Sequence, residues 1–182
     1  MREWFLYFLF YSFAGYLLEK LYARLVRSPN QVRKCFLLLP LCPVYGASMV
    51  AVLALVPEGT GPLARALLGG SICTGAEYLA HLFYEKALGV RFWDYSDLRW
   101  HLRGRICPQF ALIWGALSAL AVYFVQPLAA RLAARTPPAA AYALWLVLAA
   151  DCVLTIAVLR ERRDPEQLAW GQIWATSQSS TS

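Results

Sequence analysis

Charge is what this chain has least of. Of its 182 residues, 15% are Asp, Glu, Lys or Arg, while 59% are hydrophobic. A soluble domain carries about 25% charged and about 45–50% apolar residues. The balance therefore excludes an ordinary water-soluble globular domain. Histidine occurs twice. The five cysteines, Cys35, Cys42, Cys73, Cys107 and Cys152, are odd in number and have no zinc-finger spacing with histidine. Most lie in apolar stretches, which suits small packing residues rather than a disulfide framework. No Gly-Lys dipeptide occurs, so there is no phosphate-binding P-loop. No metal site and no cofactor are expected.

What the chain has in place of charge is long apolar runs. A membrane span needs about 20 mostly apolar residues at about 1.5 Å rise each. Five runs reach that length: 4–26, 36–56, 63–88, 106–125 and 139–159. The expected fold is all-α, a polytopic membrane helix bundle of about five transmembrane helices over residues 1–163. A polar, disordered tail over 164–182 follows. Pro57, Gly59, Gly61 and Pro62 mark one turn, and Pro127, Pro137 and Pro138 another. Pro40 and Pro43 stand in the first turns of the second helix and disturb it. The first run has a weak n-region, Arg2 balanced by Glu3, and no small-residue cleavage site follows, so it reads as a retained helix.

The 17 basic residues are unevenly placed. Lys20, Arg24, Arg27, Arg33 and Lys34 fall between the first two runs. Lys86, Arg91, Arg99, Arg103 and Arg105 fall between the third and fourth, and Arg160, Arg162 and Arg163 follow the fifth. Only Arg2, Arg65, Arg131 and Arg135 fall at the other end. The positive-inside bias puts the N-terminus outside and the C-terminus in the cytoplasm of a multi-pass cell-membrane protein. These charges serve topology and contact with anionic membrane lipids. Once the spans are removed, no basic-aromatic surface module is left for nucleic acid.

Four acids inside the runs need an account, because a charge within a span costs at least a few kcal/mol unless it faces the interior or a water-filled cavity. Glu19 and Glu85 lie near the cytoplasmic ends of their helices. Glu77 lies about 12 Å deeper than Glu85 along the same helix, and Asp151 is near the middle of its own. Cys73, Glu77, His81 and Glu85 are spaced by four and share one helix face. That stripe reads either as an ion, proton or metal path or as a buried hydrogen-bond network joining helices. A mid-membrane Glu77 calls for a polar contact. Arg103 or Arg105 would reach it only if their loop folds inward.

That loop, residues 89–105, is dense in distinct polar types, with Trp93, Asp94, Tyr95 and Trp100 among them. It reads as an interfacial aromatic belt or as a segment that folds back over the bundle and completes a site. A weak internal echo is also present. Glu19-Lys20, Cys42-Pro43 and Tyr45-Gly46 are answered by Glu85-Lys86, Cys107-Pro108 and Trp114-Gly115. The pattern fits a duplicated helical hairpin with the fifth helix added.

Several of these stretches resemble one family. They are Gly15 to Glu19, Cys42-Pro43-Val44-Tyr45-Gly46, Glu77-Tyr78, Glu85, Trp93-Asp94-Tyr95-Ser96 and Gly104-Arg105-Ile106-Cys107. Together, over about residues 4–126, they resemble the "Putative ABC-transporter type IV" membrane family of bacterial multi-pass proteins. The chain departs from that pattern at Arg33-Lys34-Cys35, where Asn-Arg-Gly is usual, and at His101, where asparagine is usual. The resemblance implies a transporter membrane component, a permease-like subunit of unknown substrate. Any ATPase would be supplied by a separate partner subunit, and five helices imply a homo-oligomer or other partner. Gly70/Thr74, Ser71/Gly75 and Gly115/Ala119 offer small surfaces for close helix contact. The binding or polar-network candidates are Glu19, Glu77, Glu85, Cys42, Tyr45, Trp93, Asp94, Tyr95, Arg105 and Cys107. The alternatives are a membrane enzyme acting on a lipid or lipid-linked substrate at the cytoplasmic face, and a non-catalytic scaffold. No recognised catalytic spacing favours the enzyme.

Overall fold

The computed structural model describes residues 1–25 and 35–162. The 164–182 tail and the basic residues Arg27, Arg33, Lys34 and Arg163 lie outside the described residues. Every regular element described is helical. Five rods follow one another: α1 (Arg2–Leu25), α2 (Pro43–Leu55), α3 (Pro62–Phe83, ending in the π-helical turn Tyr84–Leu88), α4 (Pro108–Arg135) and α5 (Pro138–Arg162). Two rods, Pro108–Arg135 and Pro138–Glu161, are long and apolar enough to cross a membrane. The other three miss that test for visible reasons. α1 carries Glu19 and Lys20 among many aromatics, α3 carries Arg65, Glu77, His81 and Glu85, and α2 is short.

α2 is short because its expected first turns are not helical. Pro40 and Pro43 each lack an N–H, and the residue before a proline avoids the helical region. The helix therefore starts only at Pro43, in the first-turn position where a missing donor costs nothing. Residues 36–41 form a non-helical strap ahead of it. The strap's backbone is satisfied from α5. Leu38 N–H donates to Thr155 Oγ1 at 3.3 Å, and Leu39 N–H to both Asp151 carboxylate oxygens at 3.3 Å. Cys42 N–H donates to the Ser12 carbonyl of α1 at 2.9 Å. The mid-helix acid Asp151, nearly fully buried, is thereby explained as an acceptor for irregular backbone.

Pro127 does not end a helix, contrary to the expected turn. α4 runs through it to Arg135. The π-helical turn Ala121–Val125 lies immediately ahead of Pro127. A π turn widens the helix by one residue and accommodates a ring that would clash with the carbonyl four residues back.

The rods pack in sequence, α1 on α2, α2 on α3 and α3 on α4, and the distal part of α4 returns to α1. Close approach depends on small residues. A Cβ on Gly70 would lie 3.1 Å from the Gly115 Cα, and one on Gly115 would lie 2.6 Å from the Ala66 carbonyl oxygen. Gly70 and Gly115 are thus spent on the α3–α4 contact inside the chain. Gly75 has open space beside it. At the end opposite the strap, buried Arg65 donates to the carbonyls of Pro57, Glu58 and Thr60 and lies over the Tyr123 ring. It staples the α2–α3 turn to α4.

α5 packs least. It touches α1 near Leu6 through Ala141, and the end of α3 through Leu159. In the most apolar stretches of α4 and α5 only 11% and 17% of the residues are buried, so these are not core helices of a water-soluble fold. Phe124, Tyr142, Leu146 and Val153 are among the large apolar side chains left facing outward.

Candidate functional site

The loop between α3 and α4 folds back over the bundle. Gly89, at φ +68°, ends α3 and turns the chain inward. Leu102 and Ile106 pair as an isolated bridge, and Tyr95 N–H donates to the Gly104 carbonyl at 2.8 Å. Asp94 caps the turn, accepting from Ser96 N–H at 2.9 Å and from Ser96 Oγ at 2.5 Å. Those two hydrogen bonds, the side-chain one first, hold the Asp94 carboxyl below its ordinary value. Gly104 takes φ +70°, and a Cβ there would meet Asp94 Oδ1 at 2.5 Å and Ser96 Oγ at 2.7 Å.

The folded loop is fastened to α3 at three levels. Outermost, Glu85 is ion-paired with Arg91 and Arg105, and the Arg105 guanidinium also lies over the Tyr78 ring. The Glu85 hydrogen bond raises the Arg105 pKa. Next, His81 Nε2 donates to the Trp93 carbonyl at 3.1 Å, and Trp93 Nε1 donates to the Arg105 carbonyl at 3.0 Å. Deepest, Tyr95 Oη donates to Glu77 Oε1 at 2.8 Å. Burial, reinforced by the Glu77 charge, pushes the Tyr95 phenol well above its ordinary range, so it remains a donor.

Beneath this cap lies a cavity of about 900 Å³. Two carboxylates line it. Glu77, 6% exposed, accepts from Tyr95 and from Trp114 Nε1 at 3.0 Å. Glu19, half-buried, accepts from Tyr45 Oη at 2.6 Å. The donors sit in an aromatic wall. Tyr45 meets Trp114 edge to face at 5.3 Å, and Tyr95 stacks on Phe110 at 4.8 Å. Gly15 lets this wall close, since a Cβ there would overlap the Tyr45 ring.

Of the ten candidate residues, the structure brings Glu19, Cys42, Tyr45, Glu77, Trp93 and Tyr95 to this cavity. Glu85, Asp94 and Arg105 stand outside it, in the fastening of the cap, and Cys107 is the buried residue ahead of α4. Glu77 is not partnered by Arg103 or Arg105. The loop does fold inward, but Tyr95 and Trp114 reach Glu77, and Arg105 goes to Glu85.

The cysteines need a correction as well. Cys35 and Cys42 are joined as a disulfide, with Cα atoms 5.5 Å apart. Seven residues in a helix would separate them by about 10 Å; the non-helical strap doubles back and brings them together. In this oxidised pair Cys42 is not a free nucleophile for the enzyme alternative. Among the described residues, no group of three His, Cys, Asp or Glu side chains could hold a metal ion. Sequence reasoning missed the part of Phe110. The apolar character of α4 hid it, and no local signal marks it.

The fold and site define an all-helical bundle with an acid-and-aromatic cavity beneath a folded loop. The chain belongs to the family described as "Putative ABC-transporter type IV", whose model matches residues 6–156. The match extends through most of α5, beyond the region of resemblance read from the motifs. No curated protein and no solved structure matches the chain.

Proposed function

We propose that this protein is the membrane-embedded, permease-like component of a transporter. It holds its cargo in the capped cavity and draws energy from an ATPase on another polypeptide. The observation that carries the reading is the cavity itself. About 900 Å³ lies within the about 300–1,000 Å³ typical of organic-ligand sites, and charged groups otherwise expensive in a bundle face it. Membership of an ABC-transporter family supports the link to a separate ATPase.

In this reading all five rods cross the bilayer. The N-terminus is outside, and the strap, the cap and the C-terminus are on the cytoplasmic side. The outward apolar faces of α4 and α5 support it. α2 is the short crossing of the five, its 13 residues giving about 20 Å of helix against the about 30 Å of hydrocarbon, with the strap ahead of it held by hydrogen bonds to α5. Five rods are few for a complete path, so self-association or a second membrane chain supplies the remainder.

Purification of the tagged chain from its native membrane tests this. A P-loop ATPase recovered with it, and ATP-dependent uptake or export by the reconstituted pair, is the expected result. A chain recovered without an ATPase, and inactive with ATP, contradicts it.

A further inference from the structure

Among the described residues the charge of the cavity is unbalanced. Glu19 and Glu77 both face it, and no Arg, Lys or His among the described residues lines it. Neither acid has an ion-pair partner among the described residues; the ion pairs found there belong to Glu85 and Asp94. In the cap, Arg105 and Arg91 are committed to Glu85. The described side chains hydrogen-bonded to the two acids, Tyr45, Tyr95 and Trp114, are all neutral donors. The Trp114 indole N–H only donates, so Glu77 Oε2 is an acceptor. Carboxylates held by neutral donors, with no countercharge among the described residues, present a negative field to whatever occupies the space.

The walls select further. The rings of Tyr45, Tyr95 and Trp114 stand against the acids, and those of Phe110 and Trp93 line the same space. Aromatic faces attract cations, most strongly the poorly hydrated ammonium and guanidinium groups. A bare metal ion needs three or more ligands, and among the described residues no three His, Cys, Asp or Glu side chains come together to hold one. The volume also far exceeds that of a single ion. The remaining lining, including Leu18, Met49, Ile113 and Leu117, is apolar and suits a hydrocarbon body.

We infer that the cavity binds an organic cation, a protonated or quaternary amine carrying an apolar body. The charged end lies between Glu19 and Glu77 against the aromatic rings. This rests on the reading of the cavity as a cargo site and names the cargo's chemistry.

The test is equilibrium binding to the full chain in lipid nanodiscs, read by tryptophan fluorescence, since Trp93 and Trp114 line the space. The probes are benzyltrimethylammonium and its neutral carbon isostere, neopentylbenzene. The cation should bind saturably and at least tenfold more tightly than the isostere. Glu77→Gln and Glu19→Gln should each weaken it about tenfold or more, while Glu58→Gln, in the exposed α2–α3 turn, should not. Melting curves check that each variant folds, and the half-exposed Glu19 site serves if Glu77→Gln does not. Equal binding of the two probes, or cation binding indifferent to both substitutions, overturns the cation proposal and leaves the cavity reading standing. Saturable binding of neither probe to folded protein overturns both.

Discussion

Tyr95 donates its phenolic hydrogen to Glu77 at 2.8 Å, across 18 residues of chain and from a loop into the middle of a helix. This one bond joins the cap to the acid at the floor of the site. Tyr95→Phe removes it and little else. A hydrogen bond to a charged group contributes about 1.5–3 kcal/mol, so amide exchange should quicken across residues 92–106 while α1 and α2 keep their protection. Unchanged exchange in the loop would mean that the hydroxyl does not hold it.

The cap also depends on backbone shape. Gly104→Ala places a side chain at φ +70° and against Asp94 and Ser96. The expected cost is about 1–3 kcal/mol, visible as a melting temperature lower by several degrees. Gly75→Ala, where nothing lies within 4 Å, should leave stability unchanged or raise it by up to about 1 kcal/mol. Similar losses from the two substitutions would contradict this placement of Gly104.

The strap is held from α5. Thr155 is fully buried, and Thr155→Val keeps its shape but removes the acceptor of Leu38 N–H. Loss of a buried partner costs about 1–3 kcal/mol. Hydrogen exchange at Leu38 and Leu39 should accelerate, and Asp151→Ala should accelerate it further. Protection equal to the native chain would place the strap's anchor elsewhere.

Cys35 and Cys42 close the strap at the end of the bundle that carries the basic loops. The cytoplasm keeps thiols reduced. With that end inside, acid-quenched cells should yield both cysteines alkylatable without added reductant, the bond forming on exposure to oxidant. A pair that needs reductant straight from the cell would put that end outside and reverse the orientation.

How far the residues alone reveal this site follows from distance along the chain. The rods are legible because apolar runs are local, and a buried Glu77 announces that it needs a partner. Which partner is not legible. Tyr95 and Trp114 reach it only because the loop folds back and α3 meets α4 through Gly70 and Gly115. Pro127 misleads for a different reason. A proline reads as a break, yet the π-helical turn ahead of it absorbs the ring, and that turn has no sequence signature. The disulfide is hidden likewise, because a seven-residue spacing favours pairing only when the stretch between is not helical.

In the proposed topology the bundle makes five crossings and its capped cavity faces the cytoplasm. Single cysteines answer it most directly. Gly59→Cys, Asp97→Cys and Thr136→Cys, in a chain whose native cysteines are replaced, would be labelled with a membrane-impermeant maleimide in intact cells and in inverted vesicles. Gly59→Cys and Thr136→Cys should react in intact cells and Asp97→Cys only in inverted vesicles. Reaction of all three from the same side would contradict it.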